Sequence, residues 1–179
     1  MNFRIRKAVK EDAKQIAVVH VDSWRTTYKG IVADEYLESL TYESKEKMWM
    51  SIDPETVFVA ENQDGQIAGF AGFGPERTKE YGFDGELYAI YLLKEVQGAG
   101  IGRRLVEATA NELLRKNYQS MLLWVMDENP SKGFYERFLP ERIAEDVYTI
   151  DGTDHQETAF GWRDLSKLAA ALKRKEGSM

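Results

Sequence analysis

The pattern of apolar and polar positions predicts that strands and helices are mixed in the first half of the chain. Charged and apolar residues alternate from Phe3 to Lys7, as they do in a half-buried strand. Helical spacing of apolar residues predicts one helix from Asp12 to about Thr26 and a second from Asp34 to about Met50. Two runs of β-branched and aromatic residues flank an Asp-Gly turn and predict a hairpin, at 57–61 and 66–73.

The second half is organised around an apolar strand, Leu87 to Leu93, that enters a glycine-rich loop and continues as a helix. Another apolar run, Ser120 to Met126, follows, so strand, helix and strand predict a parallel crossover. A closing hairpin is predicted from Arg142 to Trp162. A final helical face contains Leu165, Leu168 and Leu172 and precedes a basic end, Lys173-Arg174-Lys175.

The loop from Val96 to Arg104 is the strongest candidate for a binding site. The first N–H groups of a helix have no partner inside the helix, and the helix dipole is positive there. Gly98, Gly100 and Gly102 allow a tight turn and close approach of a ligand, and Arg103-Arg104 add positive charge. This pattern predicts a phosphate or pyrophosphate site, although an ordinary strand-to-helix turn would also use glycine.

Two familiar phosphate loops do not fit. A Walker-type loop needs a Lys followed by Ser or Thr, and Arg103-Arg104 occupy those positions. A dinucleotide fingerprint is G-x-G-x-x-G and opens a strand–helix–strand unit, whereas this loop is G-x-G-x-G and lies in mid-chain.

Composition narrows the class of protein. The chain has 179 residues, 43% of them apolar and 30% charged, which is typical of one globular domain. Its formal charge of −6 argues against a nucleic-acid partner, and the absence of Cys excludes disulfides, thiolate metal sites and a cysteine acyl-enzyme. The N-terminus has no signal-peptide core, and no apolar run reaches membrane-spanning length, so we expect a cytoplasmic protein without a membrane partner. No metal site is predicted.

The loop resembles the pyrophosphate loop of the GNAT superfamily of N-acetyltransferases, whose pattern is Gln or Arg, two residues, Gly, one residue, Gly or Ala. Gln97, Gly100 and Gly102 match this pattern position for position. The resemblance implies acetyl-coenzyme A (acetyl-CoA) as co-substrate. It places the pyrophosphate on the loop amides and the pantetheine arm beside the preceding strand, which together involve Ile90, Tyr91, Leu92, Gln97, Gly98, Ala99, Gly100, Ile101, Gly102 and Arg103.

A second segment, Glu128 to Arg137, resembles the other half of the same site. An Asn that can cap, a Pro and a Phe-Tyr pair predict a short helix here. The resemblance implies that Asn129 approaches the pantetheine, that Ser131 and Lys132 approach the phosphates, and that the Tyr135 hydroxyl points at the thioester sulfur. The family pattern usually continues into Gly-Phe or Gly-Gly, whereas Phe138-Leu139-Pro140 stands here.

Acetyl transfer to an amine needs three groups. A lysine-like amine has a pKa of about 10.4 and must lose a proton before it attacks. Glu86, or its rival Asp84, is the candidate base, although Glu86 could equally be a solvated strand end. By resemblance, a backbone N–H near Ile90 or Tyr91 stabilises the carbonyl oxygen. Tyr135 is the candidate acid, and without Cys we expect direct transfer in a ternary complex.

The acceptor site is less defined. Trp24 and Tyr28 are candidates for its lining, by resemblance, although core packing is as probable a role for either. His20 lies on the apolar stripe of the first helix and is expected to be a packed side chain rather than a catalytic group.

Taken with the resemblance, these patterns predict an α/β fold of the GNAT type. Its mixed, mostly antiparallel sheet has about six or seven strands, flanking helices and a parallel pair splayed at the cofactor site. Residues 1–165 are expected to form the acetyltransferase domain and 166–179 a helical tail. The predicted activity is N-acetylation of a small-molecule or peptide amine by a monomer or homodimer. The alternative is a non-catalytic acyl-CoA-binding regulatory domain.

Overall fold

The computed structural model describes residues 2–173, which contain seven strands and six α-helices. The strands are β1 (Phe3–Lys7), β2 (Val57–Asn62), β3 (Ile67–Pro75), β4 (Gly85–Leu92), β5 (Met121–Met126), β6 (Glu141–Ile150) and β7 (Thr153–Trp162). The helices are α1 (Ala13–Thr27), α2 (Asp34–Ser39), α3 (Tyr42–Ser51), α4 (Ile101–Arg115), α5 (Lys132–Glu136) and α6 (Leu165–Lys173). Arg174 and Lys175 of the predicted basic end, and the rest of the predicted tail beyond Lys173, lie outside the described residues.

The strands form one mixed sheet in the order β1-β2-β3-β4-β5-β7-β6. Neighbouring strands are antiparallel except for β4 and β5, which run parallel. The parallel pairing joins Gly85 to Met121 and Glu86 to Leu122, only the first two residues of an eight-residue strand. The predicted fold class is therefore confirmed, including the parallel pair that separates after a short stretch.

By contact density the chain divides into two units. The first comprises the residues up to Gly72 together with Ala89–Val106. Its core lies between one face of α1 and the β2–β3 hairpin, because the apolar stripe predicted for α1 packs against alternate residues of those strands. The members of this core include Ile16, Ala17, Val19, Trp49, Val57, Val59, Ile67 and Phe70.

The second unit comprises Phe73–Tyr88 and the described residues from Glu107 onward. Its buried side chains include those of β5 and of the stripe of α6, where Leu165, Leu168 and Leu172 are at most 3% exposed. The predicted face of the last helix and the predicted closing hairpin are thus confirmed. Gly85 lies so close to Leu113 that an added Cβ would be 3.0 Å from its side chain, which brings α4 directly against β4.

The second predicted helix is wrong in one respect, because it is two helices. α2 ends at Ser39 and α3 begins at Tyr42, with Leu40 and Thr41 in extended conformation between them. The Thr41 side chain accepts a hydrogen bond from the Ser44 N–H at 3.2 Å, which caps the start of α3. The cap stabilises a new helix start where the apolar spacing alone suggests continuity.

Candidate functional site

The glycine-rich loop adopts a conformation that requires glycine. Gly98 and Gly100 both have φ of +78°, in the left-handed region, and a Cβ added at either would meet nothing within 4 Å. α4 begins at Ile101, and the Arg104 N–H donates to the Gly100 carbonyl at 3.2 Å. The loop therefore presents the first amides of α4 beside open space, the arrangement that binds phosphate groups.

The side chains around the loop have structural partners of their own. Gln97 donates from Nε2 to the Leu92 carbonyl at 3.3 Å, which ties the loop to the end of β4. Arg104 donates from Nη1 to the Phe3 carbonyl at 2.8 Å, so its guanidinium supports β1. Arg103, half-buried like Arg104, also lies in the first turn of α4, where its positive charge adds to the helix dipole.

The end of β4 lies next to this loop in the first unit. The Leu93 N–H donates to the Ala68 carbonyl at 2.9 Å, toward β3. A Cβ on Gly69 would be 3.1 Å from the Tyr91 carbonyl oxygen and closer still to the Leu92 side chain, so β3 and β4 pack tightly here.

An aromatic cluster that includes Tyr91 contains Trp24 and Tyr28, the two residues predicted to line the acceptor site. Trp24 lies 4.6 Å from Tyr28 and 6.3 Å from Tyr91, between ring centroids. Tyr28 is 5% exposed, whereas Trp24 is half-buried. The Trp24 Nε1 is buried and has no hydrogen-bond partner among the described residues. The structure thus brings Trp24, Tyr28 and Tyr91 together.

His20 is a packed residue of the same cluster, as expected. It stacks on Tyr91 with a centroid distance of 5.5 Å, and its Nδ1 accepts a hydrogen bond from Trp49 Nε1 at 3.2 Å. Burial, with a smaller contribution from the charge of Lys45, lowers the pKa of His20 to about 3. A neutral imidazole that accepts from Trp49 is the form that this environment stabilises.

The second predicted half of the site lies in the second unit, at the end of β5. The Asn129 Oδ1 accepts from the Ser131 N–H at 2.8 Å, and the Asn129 carbonyl accepts from the Lys132 N–H at 3.0 Å. The predicted capping position is wrong, because the N-cap of α5 is Ser131 and not Asn129, and Pro130 precedes the helix. Asn129 instead fixes the turn that leads into it.

Lys132 and Tyr135 occupy different environments on α5. Lys132 Nζ contacts Asp127 Oδ1 at 2.6 Å and Thr158 Oγ1 at 3.2 Å, so its ammonium is held against β7. Two hydrogen bonds to its carboxylate, the larger effect from Lys132 and the next from Thr158 Oγ1 at 2.6 Å, lower the pKa of Asp127. Tyr135 is 6% exposed and packs edge-on against Phe134, with centroids 5.1 Å apart.

The two candidate bases, Glu86 and Asp84, differ in burial and in their hydrogen-bond partners. Glu86 is 2% exposed, which rules out a solvated strand end, and its carboxylate accepts from the Arg77 N–H and Nε, both at 3.1 Å, and from Arg77 Nη2. Asp84 is exposed and accepts from the Gln119 N–H at 2.7 Å and from Ser120 Oγ at 3.3 Å. Asp84 therefore joins the start of β4 to the start of β5.

Sequence patterns missed two buried polar groups in the second unit. Glu76 is 2% exposed, and its Oε2 has no partner among the described residues. His155 is 4% exposed, its Nδ1 lies 2.9 Å from Glu128 Oε2, and its Nε2 likewise has no partner within residues 2–173. Neither belongs to a local motif, because the contacts join residues far apart in sequence or depend on burial.

Comparison with known proteins gives consistent matches. Residues 18–139 match the family model described as the acetyltransferase (GNAT) family. The chain is 49% identical to the N-acetyltransferase YuaI of Bacillus subtilis over 170 residues, which cover 95% of this chain and 98% of that protein. It is 30% identical over 161 residues to the spermidine N(1)-acetyltransferase of Thermoplasma acidophilum, covering 86% and 94% of the two chains.

A solved structure gives the same result. The crystal structure of the PaiA N-acetyltransferase of Thermoplasma acidophilum, in complex with coenzyme A, superposes with a TM-score of 0.67 and 28% identity. The match covers 88% of this chain and 98% of that one. Within residues 2–173, no group of three or more His, Asp or Glu side chains is placed to hold a metal ion. Over the same residues, no helix is both long and apolar enough to cross a membrane.

Proposed function

The chain belongs to the GNAT family of acetyltransferases and is an acetyl-CoA-dependent N-acetyltransferase, and we propose that it acetylates a primary amine by direct attack in a ternary complex. The observation that carries this proposal is the loop at the start of α4. Its two left-handed glycines and the first amides of the helix fit a pyrophosphate. A side chain at Gly98 or Gly100 would project into the open space beside these amides, where the ligand would lie.

We assign cofactor binding to the residues predicted from the sequence. These are Ile90, Tyr91, Leu92, the loop from Gln97 to Arg103, Asn129, Ser131, Lys132 and Tyr135. Because the Lys132 ammonium already contacts Asp127, its positive charge is partly neutralised, and it attracts a phosphate less strongly than an unpaired lysine would. Trp24 and Tyr28 are proposed to line the acceptor site, with Trp24 the more accessible of the two.

The chemistry follows from the groups available. Acetyl-CoA supplies an activated acyl thioester. A backbone N–H of β4 near Ile90 or Tyr91 donates to the carbonyl oxygen as it gains negative charge. The acceptor nitrogen forms a bond to the carbonyl carbon as the carbon–sulfur bond breaks.

Two proton transfers accompany this exchange. Glu86 accepts the proton that the amine loses, through an intervening water, since its carboxylate is buried and anchored by Arg77. The Tyr135 hydroxyl donates a proton to the departing sulfur, and a phenol is a neutral acid at pH 7. Holding both substrates together supplies much of the rate acceleration by proximity.

The test is release of CoA from acetyl-CoA with a panel of amines, followed by thiol titration. We expect amine-dependent release with at least one primary amine. CoA binding without release for any amine would support the regulatory-domain alternative instead. Tighter binding of ATP or NAD than of CoA would contradict both assignments.

A further inference from the structure

The turn between β5 and α5, residues 127–131, is held by contacts with β7. The Asp127 N–H donates to the Gln156 carbonyl at 2.8 Å, and the Thr158 hydroxyl donates to Asp127 Oδ1 at 2.6 Å. These hydrogen bonds fix the first residue of the turn. Asn129, which we assign to the cofactor site, lies two residues further along, so its position also depends on what holds the middle of the turn.

His155 of β7 supplies a contact at that point. Its Nδ1 lies 2.9 Å from Glu128 Oε2, and Glu128 directly precedes Asn129 in the chain. Successive side chains of a strand point to opposite faces of the sheet, so His155 and Thr158 approach the turn from opposite faces of β7. The buried His155 ring thus anchors a carboxylate that comes in from the exposed surface of the turn.

The surroundings of His155 select one tautomer of its ring. An ionised carboxylate can only accept a hydrogen bond, so the proton lies on Nδ1, which donates to Glu128. Nε2 is buried and has no partner among residues 2–173. A second proton on Nε2 would add a buried, charged N–H without an acceptor, which is costly. His155 is therefore a neutral, fixed donor to the turn.

The turn passes this restraint on to the start of α5. Asn129 accepts from the Ser131 N–H through its side chain and from the Lys132 N–H through its carbonyl, so a shift of Glu128 displaces all three residues together. Asn129, Ser131 and Lys132 are the residues that we assign to cofactor binding in this segment. Glu128 and His155 are outside that set and act on it only through the backbone.

We propose that His155 is a positioning residue for the cofactor, because its Nδ1 holds Glu128, and with it the turn, in the conformation in which Asn129 contacts CoA. This inference rests on the proposed function for the assignment of Asn129 to the cofactor site. A turn that is already ordered loses less conformational freedom when CoA binds, so the contact strengthens CoA binding without touching the ligand.

The first test measures CoA binding by calorimetry, with no acceptor amine, in two variants of Glu128. Glu128→Ala and Glu128→Gln remove the same charge, so they change the long-range attraction of the CoA phosphates equally. Only Glu128→Gln keeps an oxygen that can accept from His155 Nδ1. We expect CoA to bind about tenfold more weakly to Glu128→Ala, and within about twofold of wild type to Glu128→Gln.

Glu141→Ala is the matched control for an exposed ion pair of the same unit. The side chain of Glu141 is 56% exposed and pairs with Arg163, and that of Glu128 is 55% exposed. We expect Glu141→Ala and Glu128→Ala to have similar melting temperatures, because water replaces either carboxylate. Only Glu128→Ala is expected to lose CoA affinity.

The second test changes the ring itself. The amide nitrogen of His155→Asn occupies the position of Nδ1 and can still donate to Glu128, whereas His155→Leu has no donor. We expect His155→Asn to keep most of the CoA affinity and His155→Leu to lose about tenfold. Adding Glu128→Ala to His155→Leu is expected to cause no further loss, because both substitutions remove the same contact.

Equal CoA affinities for Glu128→Ala and Glu128→Gln, or losses that add in the double variant, overturn the proposal. A 15N spectrum of the His155 ring with the proton on Nε2 also overturns it. Where His155→Leu fails to fold, the two variants of the exposed Glu128 still decide the point. Failure of the proposed function is separate, since it appears as absent CoA release from acetyl-CoA with every amine while the Glu128 variants keep the expected order of CoA affinity.

Discussion

Trp49 donates its indole N–H to Nδ1 of His20 at 3.2 Å, inside the aromatic cluster of the first unit. The hydrogen bond requires an unprotonated nitrogen, and His20 is only 8% exposed. Histidine often serves in catalysis, but His20 here joins α1 to Trp49 of α3 and stacks on Tyr91.

This contact predicts how stability depends on pH. The pKa of His20 falls from 6.5 to about 3 on folding, so the unfolded chain takes up this proton first as pH decreases. The contribution of His20 is complete above about pH 6.5 and is lost progressively as pH falls toward 3. Between pH 7 and pH 5 we expect urea unfolding to show a loss of about 2 kcal/mol that is absent in His20→Gln. The same pH slope in both proteins would contradict this assignment.

The Arg77–Glu86 pair is predicted to stabilise the second unit. Arg77→Ala removes the guanidinium donors from a carboxylate that is 2% exposed, and we expect a loss of about 1–3 kcal/mol in the free energy of unfolding. Arg142→Ala is the matched control, because Arg142 and its partner Glu145 are both exposed, and it should cost less than about 1 kcal/mol. Equal losses would show that burial of Glu86 is irrelevant to the pair.

Gly100 is predicted to matter for CoA binding beyond its cost to folding. Gly100→Ala places a side chain in the left-handed region and costs about 1–2 kcal/mol of stability. Gly65→Ala is the control, since Gly65 has φ of +77° and equally open surroundings in the β2–β3 turn. We expect similar melting temperatures for the two variants but a CoA affinity about tenfold weaker for Gly100→Ala alone. Parallel behaviour in calorimetry would remove the loop from the binding site.

Tyr135 is predicted to act on the chemical step. Tyr135→Phe keeps the ring that packs against Phe134 and removes the hydroxyl, so kcat should fall by about a hundredfold while the KM for acetyl-CoA changes little. Tyr148→Phe alters an exposed tyrosine and should leave both constants unchanged. A pH–rate profile that keeps its alkaline limb in Tyr135→Phe would show that another group supplies the proton.

The elements that the sequence predicted well are those with strong periodicity. The apolar stripe of α4, the run of β5 and the Asp64-Gly65 turn each carry a local signal, and the structure has each element in place. The break at Thr41 was missed because one capping hydrogen bond decides it, while the apolar spacing continues through it. Local motifs could not reveal Glu76 or the Glu128–His155 contact, which depend on burial and on pairing across the sheet.

In the candidate site, too, some features could be predicted from the sequence and others could not. The glycine loop was predictable, because left-handed glycines before a helix have a recognisable spacing. The partners of Glu86 and Asp84 were not, since a carboxylate at a strand end looks alike in sequence whether it pairs with Arg77 or with the Gln119 backbone. Their separate roles depend on how β3 and β5 flank β4.

The most direct test of the central claim is an amide spectrum of the 15N-labelled protein titrated with CoA. We predict that the Gly98, Gly100 and Gly102 amides shift strongly on binding, because N–H groups that donate to a phosphate lose their previous environment. The Gly65 amide, in an equally open turn, should stay in place. Saturable CoA binding that leaves the three loop glycines unmoved would contradict the account.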